Sequence, residues 1–295
     1  MQPCSIYSLQ KPNAQRCIYL CVVAVTKFYK DDMIIKMFLI RGILTISILT
    51  SVIESYAQGP PVFTDTPILL GLGGRGVRTF GKYISKENAN VYIQPLVLPF
   101  NITPKLLVGT ILPFVSKSPK NGSSQSGLGD LAVFLKYVVQ QKDYPGKTIR
   151  TLVKVTQRFP TGNNEIIPPL GTGAYQTAFG IVTGYITTKY GIYTELNYNV
   201  VSEGQPNQFI YNFAFSYPLL PQQYPPRQLN ISADVNGIYV PELSNNTIFL
   251  SPGLQWILGR KVLLESGIQL PVMEDVIETE RTKFMFLLGI RVLLF

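Results

Sequence analysis

The chain has 295 residues, 46% of them hydrophobic and 15% charged, with a formal net charge of +9 and no histidine. The absence of histidine excludes Ser-His catalysis and imidazole-based metal sites, so no catalytic residue, metal or cofactor is predicted. The charged fraction lies below the ~25% of typical soluble domains, yet downstream of residue 58 no uncharged apolar run approaches the ~20 residues of a membrane-spanning helix. Basic residues are scattered rather than clustered, which argues against nucleic acid as a partner.

The N-terminal region has the form of an export signal. A short basic stretch containing Lys36 precedes the uncharged apolar run Gly42 to Val52, and Ala57 supplies one of the small residues that a signal peptidase reads. We expect residues 1–57 to be a cleaved Sec-type signal region, with residues 1–32, which carry all three cysteines, lying upstream of the true start. A membrane anchor is the alternative, but the apolar run is short for a spanning helix.

Two runs between Gly127 and Phe159 alternate apolar and polar residues, with charges on the polar side. Strand side chains alternate between two faces with a period of two residues. The first run therefore sets Leu135 against Lys136, and the second sets Val153 against Lys154. Long strands with one apolar and one charged face are typical of a barrel with lipid outside and water inside.

Twelve segments have about the length that a tilted strand needs to cross a bilayer. They fall at 76–86, 90–100, 104–117, 127–141, 147–159, 173–187, 191–203, 207–218, 228–240, 246–258, 261–273 and 282–295. The even count is typical of single-chain bacterial barrels. We therefore predict an all-β fold, a transmembrane antiparallel β-barrel of the bacterial outer-membrane type over residues 76–295, behind a periplasmic lead at 58–75.

The connections between these segments support that topology. If the N-terminus starts in the periplasm, every second connection should be a short turn, and most of those connections are tight. The intervening connections at 116–126, 160–172 and 274–281 are longer and more polar, as outer loops should be. The asymmetry predicts that the long connections face the outside of the cell.

Three sequence blocks, taken together, resemble one family. They are Pro60-Pro61-Val62-Phe63-Thr64-Asp65-Thr66-Pro67, then Gly127-Leu128-Gly129-Asp130-Leu131 leading to Leu135-Lys136-Tyr137, and Arg158-Phe159-Pro160-Thr161-Gly162-Asn163. In order and spacing they resemble the outer-membrane transporters named for the MetA pathway of phenol degradation, over residues 60–295. The resemblance implies an outer-membrane β-barrel that moves small aromatic or hydrophobic compounds, without identifying the substrate.

Charged residues on the predicted inward faces are the candidate lumen lining. They are Asp130, Lys136, Arg150, Lys154, Arg158, Glu195, Asp234, Glu265 and Arg291. Arg150, Lys154 and Arg158 share one face of a single strand, which would attract an anionic solute if water reaches them. If they pair instead with acids such as Asp130 across strands, they only close the lumen, and alternation alone leaves both arrangements open.

The last predicted strand departs from the usual barrel ending. Its apolar face includes Phe286 and Leu294, whereas the C-terminal Phe295 falls in phase with Arg291. Either the strand ends one residue early or a β-bulge shifts its phase. We expect this strand, ending in Phe295, to engage the barrel-assembly machinery.

The sequence favours a passive channel or facilitator for small, hydrophobic or aromatic solutes, with outer-membrane lipid and the solute as partners. A barrel of about 12 strands leaves room for a small passage, narrower than in porins of 16 to 18 strands. The alternative is a plugged structural or binding barrel whose loops contact partners. An enzyme using carboxylates at the rim is least favoured, because histidine is missing.

Overall fold

The computed structural model of the protein describes residues 59–221 and 226–294. Within these residues the strands are β1 (Arg75–Lys86), β2 (Ala89–Asn101), β3 (Leu106–Pro119), β4 (Gln125–Leu128), β5 (Ala132–Tyr144), β6 (Lys147–Arg158), β7 (Gln176–Thr187), β8 (Gly191–Val201), β9 (Gln208–Pro218), β10 (Arg227–Val240), β11 (Asn245–Leu258), β12 (Val262–Glu274) and β13 (Thr282–Leu294), with 3₁₀ turns at Pro241–Leu243 and Glu278–Glu280. None of the helical turns in this part of the chain is long or apolar enough to cross a membrane. The predicted signal region and its cleavage site after Ala57 lie outside the described residues.

The strands form one closed antiparallel sheet. Neighbours pair in chain order from β5 to β13, and the ring continues from β13 to β1, β2 and β3. It closes because β3 pairs with both β4 and β5, which together make one barrel strand. The architecture is a closed 12-stranded antiparallel barrel, which confirms the predicted fold class and strand number.

The fourth predicted strand, at 127–141, is interrupted near its N-terminal end. β4 ends at Leu128 and β5 begins at Ala132, while the Gly129 N–H still donates to the Pro113 carbonyl at 2.8 Å. Proline has no N–H with which to return a ladder hydrogen bond, so the pairing with β3 breaks at this point. The break frees Asp130 from the ladder.

Burial follows the predicted alternation of inward and outward side chains. On β5, Phe134 is buried while Leu135 and Tyr137 are exposed, and on β10 the buried Asp234 precedes the exposed Val235. The exposed side chains are largely apolar and the buried set is rich in carboxylates and amides. This is the inverse of a soluble domain and suits an outer surface in contact with lipid.

The two rims of the barrel differ. One rim, here called the turn end, carries the start of β1, the end of β13 and the connections at 102–105, 145–146, 188–190 and 259–261. The opposite rim, the loop end, carries the long connection 159–175 between β6 and β7. The long connection and the N-terminal segment that precedes β1 therefore lie at opposite ends of the barrel.

The final strand pairs regularly with the first. The register of β13 against β1 is continuous from Phe284 to Leu294, and the irregularity in this pair lies at the far end, between Ser85 and Lys86. Within the described residues no bulge therefore shifts the phase near the C-terminus. Phe295 itself lies outside them, so its contact with the assembly machinery stays a prediction.

A plugged lumen as the candidate functional site

The segment 59–74 enters the barrel and leaves it again by Leu72, which is 73% exposed, although the sequence predicted a periplasmic lead at 58–75. Val62 and Thr64 are 3% and 4% exposed, and this segment is called the plug below. The plug has no strand, and side chains of the barrel wall bind several of its backbone groups. The difference from the prediction arises because a segment without period-two alternation carries no sequence signal of the face it buries.

The plug enters from the turn end and returns to it. Gly59 lies so close to Gln255, near the end of β11, that a Cβ would come within 1.5 Å of the Gln255 Oε1. At the other end of the plug, the Gly73 N–H donates to the carbonyl of Asn101, the last residue of β2, at 3.3 Å. Phe63 to Thr66 therefore form an apex that reaches the middle of the barrel.

Asp65 at the apex is held by two lysines. The Lys136 Nζ lies 2.7 and 2.6 Å from the two carboxylate oxygens, and the Lys154 Nζ lies 3.3 Å from Oδ2. Burial raises the pKa of Asp65, but the charges of Lys136 and Lys154 outweigh burial and hold that pKa well below its usual range. The carboxylate is therefore ionised at neutral pH, and the apex is latched by charge.

Glu195 on β8 completes this cluster. The Lys154 Nζ donates to Oε1, and the backbone N–H of Asp65 donates to Oε2 at 2.9 Å. The amides of Asn197 and Asn212 each donate to the same carboxylate at 2.9 Å. The buried charge is thus both paired and hydrogen-bonded, which offsets its desolvation.

A second carboxylate on the wall binds the neighbouring plug residues. The Asp234 Oδ2 accepts the Thr64 N–H at 2.9 Å, the Thr64 hydroxyl at 2.8 Å and the Phe63 N–H at 3.3 Å. Backbone N–H groups of an irregular segment need partners when they are buried. Asp234 supplies them from β10, so the apex is fixed from two sides of the lumen.

Two glycines on the inward face of the wall make room for the plug. A Cβ at Gly267 would come within 2.5 Å of the Phe63 ring, and a Cβ at Gly253 within 2.8 Å of the Val62 side chain. Glycine in a strand interior often marks such a close approach. The wall is therefore shaped to the plug as well as charged to hold it.

Glu265 joins the first strand of the barrel to its last two. Its carboxylate lies 2.6 Å from the Arg78 Nε and 2.8 Å from the Arg291 Nη2, and its side chain is 0% exposed. Arg78 also donates to the Val62 carbonyl at 3.1 Å, which connects this seam to the plug. The sequence predicted Glu265 and Arg291 as lumen residues but missed Arg78.

A cavity of about 430 Å³ lies above the plug, on the side of the loop end. Phe63 to Thr66 form its floor. Its apolar wall comes from the early strands and consists of Phe80, Pro95, Val97, Ile111 and Phe134. The facing wall, from β6 to β9, is mostly polar and includes Thr156, Arg158, Gln176, Asn197, Asn199 and Asn212. The cavity is thus amphipathic, and at its base Lys136 and Lys154 are paired with Asp65 and Glu195.

The predicted lumen residues fall into three groups in the structure. Lys136, Lys154, Arg158, Glu195 and Arg291 line the cavity. Asp234 and Glu265 are buried beside the plug, and Asp130 and Arg150 lie outside the cavity lining, Arg150 at 3.2 Å from the exposed Asp143 near the turn end. The predicted basic face of β6 therefore contributes two of its three members to the cavity. Among the described residues, no group of three or more His, Cys, Asp or Glu side chains could hold a metal ion.

Asp130 anchors the long connection 159–175 at the loop end. Its Oδ1 accepts the Gly162 N–H at 3.0 Å, and its Oδ2 accepts the N–H and the hydroxyl of Thr172, each at 2.8 Å. The Leu131 N–H donates to the Thr161 hydroxyl at 2.8 Å. Two of the three family-like sequence blocks thus meet at this anchor, and the other is the apex of the plug.

Replacing Asp130 with alanine should release this loop without opening the barrel. Hydrogen bonds to a charged group contribute about 1.5–3 kcal/mol each, so amide hydrogen exchange at Gly162 and Thr172 should accelerate by at least about tenfold. Mass spectrometry of the exchanged protein measures this. Glu280→Gln, which removes a loop-end acid paired with Lys86, is the matched control and should leave those amides unchanged. Unaltered exchange in the Asp130 variant would contradict the anchor.

The family described as "Putative MetA-pathway of phenol degradation" matches residues 85–271. The chain belongs to this family. The match confirms the resemblance inferred from the three sequence blocks. It begins after the plug, so most of the barrel wall, rather than residues 59–74, carries the family assignment.

Comparison with solved structures finds an outer-membrane channel and a porin. The COG4313 outer membrane channel from Pseudomonas putida F1 superposes with a TM-score of 0.63 at 13% identity, covering 79% of this chain and 100% of that one. The KdgM porin, solved in complex with disordered oligogalacturonate, gives a TM-score of 0.48 at 7% identity, covering 73% and 98%. Comparison with curated proteins gives no match. At 13% identity the first likeness establishes the fold alone.

Proposed function

We propose that this protein is an outer-membrane channel for small solutes, closed from the turn end by the plug and opened when the plug leaves the lumen. One observation carries the proposal: the apex of the plug is latched by the Asp65 carboxylate between Lys136 and Lys154, directly beneath a solute-sized cavity. Ionic contacts to water-accessible side chains are reversible. The turn end then faces the periplasm and the loop end faces outward.

The lining of the cavity supports small aromatic or otherwise apolar solutes that also carry a polar group. Ligand sites usually enclose about 300–1,000 Å³, mostly apolar, with a few placed polar groups. The cavity above the plug has about 430 Å³ and sets Phe80 and Phe134 across from amide side chains. Membership of a family named for phenol degradation, and the channel named in the P. putida structure, agree with this proposal.

A plugged binding barrel is the second candidate, and apolar packing between the plug and the barrel wall favours it. Leu152 and Val182 are 0% exposed and pack with Val138, and the plug residue Leu69 packs against them. An apolar contact of this kind adds to the ionic latch, since burying a leucine side chain contributes about 1.5–3 kcal/mol. In this alternative the plug never leaves, and solutes bind without passing.

A reversible lock on the plug separates the two candidates. A Cβ at Gly253 would lie 3.1 Å from the Val62 Cβ, slightly below the ~3.5–4.5 Å of a disulfide, so Val62→Cys with Gly253→Cys should cross-link after a small shift. In a background with Cys4, Cys17 and Cys21 changed to serine, the oxidised protein should be silent in planar bilayers, and reduction should restore the rare openings of wild type.

The control for this lock is Gly253→Cys alone, which should open as rarely as wild type in both redox states. A double variant that stays silent after reduction, while migrating as a folded barrel in heat-modifiability gels, would favour the binding barrel. Equal conductance in both redox states of a cross-linked protein would contradict the plug as the gate.

A further inference from the structure

We infer that the cavity binds small organic carboxylates with an apolar body, and that such a carboxylate opens the channel by taking Lys136 and Lys154 from Asp65. The inference rests on the proposed function, because it names the solute class of the same site. It also assigns a role to Asp65, the plug residue that closes the lumen.

The site already holds a carboxylate, namely that of the plug. Lys136 contacts both oxygens of Asp65, and Lys154 contacts one of them, which is how two ammonium groups bind a carboxylate ligand. Asp65 is 22% exposed and forms part of the cavity floor. A carboxylate in the cavity therefore reaches the same two cations, and Asp65 acts as a tethered competitor with a high effective concentration.

The charge balance of the site selects a monoanion. With the plug seated, the positive charges of Lys136 and Lys154 face the negative charges of Asp65 and Glu195. When Asp65 leaves, one positive charge is uncompensated in a partly buried place, which is unfavourable. An incoming carboxylate restores the balance, whereas a neutral phenol or amide does not.

Apolar surface beside these cations accounts for the body of the ligand. The Lys136 ammonium lies 5.5 Å from the centre of the Phe134 ring, and the Arg78 guanidinium 4.7 Å from that of Phe80. A planar ring can pack against these aromatic side chains while its carboxylate faces the lysines. Arg158, which hydrogen-bonds the neutral Gln176 at 2.8 Å near the loop end, adds positive potential on the approach.

Benzoate is the probe, with benzamide and acetate as matched ligands that lack the charge or the ring. By calorimetry on the purified protein, benzoate should bind at least about tenfold more tightly than either, because it alone carries both the carboxylate charge and the aromatic ring. Asp65→Asn should bind benzoate at least about tenfold more tightly than wild type, since the tethered competitor is gone. Asp143→Asn, the same change at an exposed carboxylate, should bind as wild type does.

The locked protein supplies a second test that does not depend on folding of the Asp65 variant. With Val62→Cys and Gly253→Cys oxidised, Asp65 cannot leave, so benzoate affinity should fall by at least about tenfold and recover on reduction. Equal affinities for benzoate and benzamide would overturn the inference. A benzoate affinity that is changed neither by Asp65→Asn nor by the disulfide would overturn it as well.

Conductance distinguishes failure of this inference from failure of the proposed function. If the lock controls conductance but benzoate neither binds nor raises the open fraction of wild type, the proposed channel function is retained and the proposed solute class is wrong. If benzoate competes with Asp65 yet the reduced double variant is silent, the ligand class stands and the channel is wrong.

Discussion

Asp65→Asn is expected to turn a mostly closed barrel into a conducting one. Asparagine keeps the size of the side chain but removes the charge that holds Lys136 and Lys154. A charged hydrogen bond contributes about 1.5–3 kcal/mol, which corresponds to an increase of about 10- to 150-fold in the ratio of open to closed protein. Single-channel recording in planar bilayers measures this ratio directly.

Asp143→Asn is the matched control for this experiment. Asp143 is an exposed carboxylate that pairs with Arg150 and contacts no plug residue among its hydrogen-bond partners in the described chain. It should conduct as rarely as wild type. If the Asp65 variant is equally closed while migrating as a folded barrel, the plug is not latched by its carboxylate, and the glycine-lined packing of Phe63 must hold it instead.

The barrel wall could be predicted because each strand repeats one physical rule. Leu135 and Val153 face outward, and Lys136 and Lys154 face inward, since alternating side chains meet lipid and lumen in turn. The rule is local, so a single sequence carries it. The strand number followed from counting segments, and a closed barrel followed from strands with one apolar and one charged face.

The plug could not be predicted by the same rule. Asp65 binds side chains that lie 71, 89 and 130 residues away in sequence, and nothing near it alternates. The polar groups of an irregular segment are satisfied by whichever walls surround it, and that depends on the closed barrel. The sequence signal was limited to the Pro60–Pro67 block, which indicated a family and not a position.

Two features of the barrel wall were not predicted from the sequence, the inward position of Arg78 and the strand break beside Asp130. Arg78 lies on a strand where both faces mix polar and apolar residues, so the inward face was ambiguous. Asp130 was assigned to a continuous strand, yet Gly127 and Gly129 flank the point where the ladder breaks, and glycine in a strand often marks such an irregularity. Glycine spacing could therefore have indicated the anchor of the long loop.

The lumen acids that the sequence grouped together serve different parts of the structure. Glu195 pairs with Lys154 and binds the plug backbone, whereas Glu265 pairs with Arg78 and Arg291 across the seam between β1, β12 and β13. The first therefore concerns closure of the lumen, and the second concerns closure of the barrel itself. Substitutions at the two positions should separate these roles.

Glu265→Gln is expected to weaken the whole barrel. It removes the fully buried carboxylate between the partly exposed guanidinium groups of Arg78 and Arg291, and removing one partner of a buried ion pair costs about 3–5 kcal/mol. Urea unfolding in lipid vesicles should show that loss in the free energy of unfolding. Glu195→Gln, the same change beside the plug, should instead raise conductance and lower stability far less, because the plug can leave while the strands remain paired. Equal unfolding of both variants would show that the seam does not depend on Glu265, and that ladder hydrogen bonds alone join the first strand to the last.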